Sequence, residues 1–258
     1  RLDGVTGVQT CALPISNPPD RTIGATACTP APYPGPVITL PETEVVEGIW
    51  AVRDVRLVVR RLLDAAGDTG PRPVLVAVDG RSGSGKSTIA ERIAALVPGS
   101  VVVHTDDVAW EESFFDWDAL LADHVLAPAR EGAAVSYRPP AWDRLGRPGA
   151  IEVPAGSTLV LVEGVGASRA SLAGRYDATV WVMSDEDERR RRGVERDVVL
   201  GRTQDEAEEF WDLWESEEHP FLAADRPWER ATVVSCGTPG LTGLAPSDED
   251  VVVLTSRP

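Results

Sequence analysis

The only lysine of this 258-residue chain lies in a glycine-rich segment whose spacing is suited to binding phosphate. Residues 80–88 read GRSGSGKST, which is the pattern G-x-x-x-x-G-K-[ST] of a phosphate-binding loop, or P-loop. Its glycines let consecutive N–H groups point toward an anion, and the following helix adds a partial positive charge. Lys86 would reach the β- and γ-phosphates as a point charge, and the Ser87 hydroxyl would reach Mg²⁺. The predicted nucleotide-binding residues are Gly80, Ser82, Gly83, Ser84, Gly85, Lys86, Ser87 and Thr88.

The segments on either side of the loop have the patterns of a buried strand and an amphipathic helix. Residues 73–79 form a short apolar run, which is typical of a strand in a parallel sheet. In the next segment, Ile89, Ile93 and Leu96 share one helical face. Strand, glycine loop and helix in this order are the setting that the motif requires, so the sequence predicts a site for ATP.

Further apolar runs alternate with helical patterns along the rest of the chain. Runs at 100–104, 158–162, 178–183 and 231–235 favour four more buried strands. Their alternation with helices predicts an α/β P-loop NTPase fold, in which helices sandwich a five-stranded parallel sheet. The aromatic residues within 210–228 are expected to be core. Ligands of such sheets bind beyond the carboxyl ends of the strands.

The remaining segments receive separate predictions within a domain that spans 44–240, with its core at 72–240. Valine and isoleucine at three- and four-residue steps predict a helix over 44–66. The Pro- and Gly-rich segment 132–157 is predicted to be a small β-hairpin insertion. The tail, 241–258, holds one apolar run that is either an edge strand or not a regular element.

Two N-terminal segments are expected to lie outside the folded domain. Residues 5–15 resemble the translation of a sequencing-library adapter, so residues 1–16 are interpreted as an artefact. Residues 17–43 are rich in proline, which predicts an extended and disordered linker.

Composition limits the class of protein and its partners. A net charge of −16 leaves no basic surface for nucleic acid. Three scattered cysteines are too few for a disulfide framework, which indicates a reducing cytoplasm. No apolar run approaches the about 20 residues of a membrane span. We therefore expect a cytoplasmic protein whose partner is a small molecule, with neither a nucleic-acid nor a membrane partner, and the oligomeric state stays open.

Carboxylates follow several of the predicted strands, where Mg²⁺ ligands and a base for phosphoryl transfer are expected. These candidates are Asp79, Asp106, Asp107, Glu163 and Asp185. Glu163 follows an apolar strand and precedes a glycine, which favours a role at the metal. Asp106 is predicted to be the base, because its strand leads toward the γ-phosphate. Asp107 is either functional or a helix cap.

A helical stretch rich in arginine is predicted to be a lid over 185–202. Arg189, Arg192 and Arg196 share one face by their spacing. Mobile arginine-bearing lids exclude water and stabilise the transferred phosphoryl group in small kinases. The alternative is a solvated helix whose arginines pair with acidic residues one turn away.

With these residues in place, the chain resembles the uridine kinase-like branch of the P-loop kinases over about residues 74–240. The matching segments are 79–88 (DGRSGSGKST), 105–107 (TDD), 161–164 (LVEG), 192–197 (RGVERD) and 236–239 (CGTP). The resemblance implies that Asp106 is the general base, that Glu163 is metal-associated, and that 192–197 belong to the lid. It also implies that 236–239 pass beside the adenine of ATP.

The part that would hold the acceptor departs from this family. The family uses a tyrosine and, five residues later, a histidine; Tyr137 matches the first, but Trp142 stands at the second position. Arg144 could match an arginine two residues further on. Trp142, together with Trp110, either stacks on a base or fills the core. None of the chain's histidines is predicted to act directly, and His104 is expected to be buried on its strand.

The sequence thus predicts a Mg²⁺-dependent kinase that moves the γ-phosphate of ATP to a hydroxyl group of a small molecule, with a nucleoside as the leading acceptor. The predicted catalytic residues are Lys86, Asp106, Arg192 and Arg196, and the predicted metal ligands are Ser87 and Glu163. In one alternative the acceptor is a nucleoside monophosphate, whose phosphate is bound by Arg138, Arg144 or Arg147. In another, the protein is an ATP-binding regulator without an acceptor.

Overall fold

The computed structural model describes residues 38–44 and 47–255. The adapter-like segment and residues 17–37 of the predicted linker lie outside the described residues. The last residues of that predicted linker pack against the domain. Ile38 is buried in a cluster with Cys236 and Val252, and the Thr39 N–H donates to the Asp185 carboxylate at 3.0 Å. The prediction of a disordered linker is therefore wrong for this part, because the core supplies it with apolar and hydrogen-bonding partners.

Five parallel strands form the centre of the sheet, which confirms the predicted α/β class. They are β2 (Val74–Gly80), β3 (Ser100–His104), β6 (Leu159–Glu163), β7 (Ala178–Met183) and β8 (Val233–Cys236). Their order across the sheet is β3-β6-β2-β7-β8. Every residue of β2 and β6 is buried, which explains why their sequences are unbroken apolar runs. The strand that leads into the P-loop is therefore central.

Two antiparallel strands extend this sheet to seven. The tail strand β9 (Asp250–Thr255) pairs with β8, and β1 (Ile49–Asp54) pairs with β9 along its whole length. The helix predicted over 44–66 is therefore wrong in its first part: α1 begins at Val55 (Val55–Ala66), after Asp54 caps it by accepting from the Arg56 N–H. The 251–254 run is an interior strand, because it is paired on both sides.

Helices cover both faces of the sheet. On one face, α1 and α2 (Lys86–Leu96) pack through Val58, Ile89 and Ile93 against alternate residues of β2. The other face is covered by α4 (Asp118–Leu121), a π-helical segment (Ala122–Leu126) and α5 (Ala127–Arg130). The remaining helices are α3 (Thr105–Ala109), α6 (Pro140–Leu145), α7 (Glu186–Val199) and α8 (Gln204–Asp225), with 3-10 helices at Ala170–Arg175, Pro227–Arg230 and Pro239–Thr242.

The predicted hairpin is present as a second, two-stranded sheet. It pairs β4 (Val135–Tyr137) with β5 (Ile151–Val153) in antiparallel register, and α6 lies in the connection between them. None of the helices over residues 38–44 and 47–255 combines the length and hydrophobicity that a bilayer crossing requires.

An aspartate whose side chain is 7% exposed ties β2 to β7 at the amino ends of these strands. Asp177 accepts two hydrogen bonds from the Arg72 guanidinium, at 2.7 and 2.8 Å, and one from the Leu75 N–H at 2.9 Å. Burial raises the pKa of Asp177, but the hydrogen bonds from Arg72 and Leu75 and the nearby Arg130 outweigh it, so its pKa is lowered. The ionised carboxylate is therefore the form that the fold stabilises.

Replacement of Asp177 by Asn is expected to lower the free energy of unfolding by about 2–3 kcal/mol at pH 7, because a hydrogen-bonded ion pair loses its charge. A lowered folded-state pKa gives stability that is present above the unfolded pKa, about 3.9, and is lost as the pH falls through the folded value. Urea unfolding of Asp177→Asn and wild type should therefore differ at pH 7 and converge once the pH falls below the lowered folded-state pKa of Asp177. The control, Asp212→Asn, removes the exposed pair with Arg190 and should cost under about 1 kcal/mol. Equal losses for the two variants would contradict this role of Asp177.

Candidate functional site

The P-loop connects β2 to α2 and follows a path that requires glycine. Gly83 and Gly85 have φ angles of 74° and 92°, in the left-handed region that glycine tolerates best. A Cβ on Gly83 would lie 2.4 Å from the carbonyl oxygen of Arg189, so any side chain there would push the loop away from α7. The loop keeps this conformation because both positions lack side chains.

Lys86 is the first residue of α2, and its side chain folds back over the loop. It is only 8% exposed, and its ammonium group donates to the carbonyl oxygen of Arg81 at 3.0 Å. Ser87 and Thr88 follow it in the first helical turn and are exposed. A phosphate would offer the ammonium a charged acceptor, which binds more strongly than a neutral carbonyl. The loop therefore holds a buried cation and exposed hydroxyls at one helix N-terminus.

A histidine and a glutamate meet at the carboxyl ends of neighbouring strands. His104 of β3 is in register with Glu163 of β6, and Nδ1 of His104 lies 2.8 Å from Oε2 of Glu163. The carboxylate can only accept, so Nδ1 carries the proton. Burial raises the pKa of Glu163. The hydrogen bond from His104, the positive charge of Lys86 and a hydrogen bond from Ser87 outweigh this effect, so the pKa lies below its usual value. The hydrogen bond to Glu163 raises the pKa of His104. Glu163 is therefore held ionised beside the P-loop.

His104 is one of the cavity residues that the sequence interpretation missed. Its side chain is 48% exposed and lies in the wall of the cavity that contains Lys86, contrary to its predicted burial. It is the last residue of β3, where the strand leaves the sheet, and this position at the carboxyl edge was the available signal.

Asp106 lies in the first turn of α3, directly after β3, and its side chain is exposed in the same cavity. Within the described residues its carboxylate has no hydrogen-bond or ion-pair partner. A carboxylate without a protein partner is able to accept a proton from a ligand.

Asp79, at the end of β2, is fully buried and serves the backbone instead. Its carboxylate accepts from the N–H groups of Gly80, Gly166 and Ser168 and from the Ser168 hydroxyl, at 2.7–2.8 Å. Burial raises its pKa. Asp79 therefore anchors the loop that follows Glu163, and it does not face the cavity.

Asp107 and Asp185 are also engaged by the protein. Asp107 forms an ion pair with Arg147, although it borders the cavity. Asp185 caps α7 by accepting from the Glu188 N–H at 3.1 Å. Of the five candidate carboxylates, Asp106 and Glu163 are thus the two that face the cavity without serving as a helix cap, a backbone anchor or an arginine partner.

The three arginines predicted to share a face of α7 are divided between two environments. Arg192 and Arg196 line the cavity. Arg192 donates to the Gly237 carbonyl at 2.9 Å, and Arg196 pairs with Asp197 at 3.0 Å. Arg189 is fully buried behind the P-loop, so it does not reach the cavity. The i, i+3, i+7 pattern identified the face, but not which of its residues the loop covers.

Together these elements enclose a cavity of about 640 Å³ at the carboxyl ends of the parallel strands. Its walls are formed by Ser82, Gly83, Gly85, Lys86, Ser87, His104, Asp106, Asp107, Ala109, Glu163, Gly164, Val165, Arg192, Gly193, Arg196, Phe210, Trp211 and Trp214. A second cavity of about 360 Å³ shares Gly85 and Arg192 with it and is bordered by Cys236, Gly237 and Pro239. This is the segment that was predicted to pass beside adenine.

The residues predicted to bind the acceptor from the hairpin do not line the larger cavity. The Tyr137 ring stacks on His124, with 4.5 Å between ring centroids. Trp142 is buried, donates to the Asp107 carbonyl at 2.9 Å, and has the Arg147 guanidinium over its ring at 3.9 Å. Arg144 is exposed on α6. Trp142 was predicted either to stack on a base or to fill the core, and in the structure it is part of the core.

Aromatic side chains of α8 form the cavity wall that the hairpin does not supply. Phe210, Trp211 and Trp214 border the cavity. Trp211 is also buried in a core cluster with Val194 and Ala207, as predicted, and Trp214 packs partly buried against the core. Gly193 makes this position of Trp211 possible, because a Cβ there would lie 1.8 Å from the Trp211 ring. The spacing of these aromatic residues is the same for a core face and for a cavity wall, so the sequence could not separate the two.

The fold is an α/β architecture in which helices flank a mostly parallel sheet, and solved structures share it. The structure is similar to a candidate fructose transport system kinase from Silicibacter sp. TM1040, with a TM-score of 0.50 at 20% identity, over 69% of this chain and 94% of that one. A possible uridine kinase from Bacillus stearothermophilus aligns with a TM-score of 0.46 at 19% identity, over 70% of this chain and 96% of that one. No family model and no curated protein matches the sequence.

Proposed function

We propose that this protein is a kinase that transfers the γ-phosphate of ATP to a hydroxyl group of a small molecule. The observation that carries this proposal is the convergence of Lys86, Glu163, Asp106 and Arg192 on one cavity at the end of a P-loop strand. Phosphoryl transfer needs cations on the phosphates, a metal site and a base for the acceptor, and these residues supply each of them.

The residues beside the P-loop fit Mg²⁺, which prefers a few hard oxygen ligands. Ser87 offers a hydroxyl, and Glu163 offers a carboxylate that His104 and Lys86 keep ionised. Ser87 and Glu163, directly or through water, would hold the ion. Bound there, Mg²⁺ would neutralise charge on the phosphates during transfer.

The side chains of the cavity have separable roles in the reaction. The acceptor hydroxyl forms a bond to the γ-phosphorus as the bond between that phosphorus and the β–γ bridging oxygen breaks, and its proton passes to Asp106. ADP and the phosphorylated acceptor are the products. Lys86 binds the phosphate oxygens, and Arg192 with Arg196 stabilises the charge on the transferred group. The 236–239 segment and its cavity would receive the adenine.

A nucleoside is our leading acceptor class, and a nucleoside monophosphate is the close rival. A nucleoside monophosphate would need an arginine to bind its phosphate. Two of the three candidates already form ion pairs within the protein, Arg147 with Asp107 and Arg138 with Asp143, which argues against this acceptor. Phe210, Trp211 and Trp214 make this cavity wall apolar. Their ring faces are engaged by the protein: Arg202 lies over the Phe210 ring at 3.7 Å, Trp214 packs against Phe114 and Phe115, and Trp211 is 2% exposed. The preference for a nucleoside therefore rests on the resemblance to the uridine kinase-like branch and not on stacking.

The test is ADP release from Mg·ATP in the presence of a panel of nucleosides and nucleoside monophosphates, with Lys86→Ala as the control. Lys86-dependent turnover that requires one of these acceptors would support the proposal and name the acceptor class. Tight ATP binding without stimulation by any acceptor would contradict a nucleoside or nucleotide kinase and favour an ATP-binding regulator.

A further inference from the structure

One residue of the P-loop has both of its main-chain polar groups bound by buried side chains from α7 and α8. The Ser82 N–H donates to Oε1 of Glu218 at 2.6 Å, and the Ser82 carbonyl accepts from Nη1 of Arg189 at 3.1 Å. Glu218 and Arg189 are fully buried. Ser82 is among the predicted nucleotide-binding residues, but its N–H donates to the Glu218 carboxylate instead of pointing toward an anion.

The two side chains belong to one buried network of charges. Oε2 of Glu218 lies 3.5 Å from Nη1 of Arg189 and 3.6 Å from Nη1 of Arg81. Arg81 also pairs with Glu44 at 2.7 Å. Each buried charge thus faces an opposite one, and a buried ion pair that loses one partner leaves an uncompensated charge. The network therefore resists any movement that separates the loop from the helices.

The backbone of α7 touches the loop directly at the next residue. Gly83 lies so close to Arg189 that a Cβ would meet its carbonyl oxygen at 2.4 Å. Ser82 is thus held by side chains, while Gly83 packs on the helix backbone itself. The P-loop is therefore held against α7 both by close packing at Gly83 and by charged hydrogen bonds at Ser82.

We infer that Glu218 and Arg189 are positioning residues that clamp the P-loop, at Ser82, to the helices α7 and α8. Arg192 follows Arg189 by one helical turn, and Trp214 precedes Glu218 by one turn and donates to it at 3.1 Å. Both Arg192 and Trp214 line the cavity. The clamp therefore sets the position of the cavity wall relative to the phosphates.

The clamp limits which part of the predicted lid, residues 185–202, is able to move. The first half of α7 cannot swing away without breaking the contacts at Ser82 and Gly83, so it is a fixed wall. The end of α7 lies outside these contacts, and Val199 and Leu200 there are 85% and 77% exposed. The effect on turnover rests on the proposed function, whereas the clamp itself does not.

The first test is hydrogen exchange at the Ser82 amide, measured residue by residue by NMR in the nucleotide-free protein. Wild type should protect this amide, and Glu218→Gln, which keeps the size but not the charge of the side chain, should speed its exchange about tenfold or more. The matched control is Glu217→Gln, whose side chain is exposed on the same helix. Exchange at Ser82 in wild type as fast as in an unstructured peptide would overturn the inference, and this readout needs no folded variant.

The second test is the dissociation constant of Mg·ATP, measured by calorimetry. Glu218→Gln should bind about tenfold more weakly, because the loop loses its fixed position, and Glu217→Gln should bind like wild type. Asp177→Asn is destabilised at the opposite end of the sheet and should also bind like wild type, which separates positioning from a general loss of stability. The inference would be overturned if Asp177→Asn and Glu218→Gln bound Mg·ATP equally weakly. It would also be overturned if Glu218→Gln bound Mg·ATP with wild-type affinity. Absence of turnover with every acceptor would contradict the proposed function but would leave both tests standing.

Discussion

Replacement of Asp106 by Asn should lower the rate of phosphoryl transfer by about 10²–10⁴-fold, the range that general-base groups contribute. Asn keeps the size of the side chain but cannot take the proton of the acceptor hydroxyl. Asp106 is exposed in the cavity, and its carboxylate has no partner among the described residues, so its loss should disturb little else. The affinity for Mg·ATP should therefore stay within about twofold of wild type, because the proposed mechanism assigns Asp106 to the acceptor hydroxyl and not to the phosphates.

Single-turnover rates at saturating ATP, compared with ATP binding by calorimetry, measure the two quantities separately. Asp107→Asn is the matched neighbour, since Asp107 also borders the cavity but is neutralised by Arg147. A large rate loss in Asp107→Asn with a small one in Asp106→Asn would assign the base to Asp107 instead. Equal turnover in Asp106→Asn and wild type would remove the base from the proposed mechanism.

Replacement of Lys86 by Arg is expected to lower turnover about as much as replacement by Ala, by about 10²–10³-fold, as for other preorganised charge-stabilising groups. The Lys86 ammonium is buried and lies 3.0 Å from the Arg81 carbonyl, within the turn of the loop. A planar guanidinium is wider than an ammonium and presents its donors in a fixed fork. A preserved positive charge should therefore fail to restore function at this position.

Steady-state ADP release and ATP binding should be measured for Lys86→Arg, Lys86→Ala and a surface control, Arg191→Lys. Arg191 pairs with Glu188 and Glu195 on the exposed side of α7, so its replacement should change neither quantity by more than about twofold. If Lys86→Arg keeps wild-type turnover, the need for a compact cation at this position is refuted.

Features that depend on short segments could be predicted from the sequence. The five parallel strands are continuous apolar runs because both faces of the sheet are covered, and the glycine pattern of the P-loop reports its own backbone conformation. Glu163 and Asp106 could be placed at the cavity because the carboxyl ends of parallel strands meet at one edge. These inferences need no knowledge of which distant residues come into contact.

Other features depended on pairing between distant parts of the chain. Residues 49–54 have a spacing compatible with a helix, and they form β1 because the tail strand β9, about 200 residues later, offers them a partner. The tail itself gained a defined structure in the same way. Pairing energy of this kind is absent from any local pattern.

Side-chain roles within one helix were decided by what packs against each face. Arg189 and Arg192 have the same residue type and share a helical face, yet the P-loop covers the first and leaves the second in the cavity. Glu218 lies in an acidic stretch that reads as solvated surface, but it is fully buried beneath Ser82. The sequence by itself thus determined the five parallel strands, the phosphate loop and the positions of Asp106 and Glu163 after their strands, because local patterns encode them. Only the tertiary structure decided which arginines, aromatic residues and carboxylates face the cavity, because burial of a polar side chain depends on the partner that approaches it.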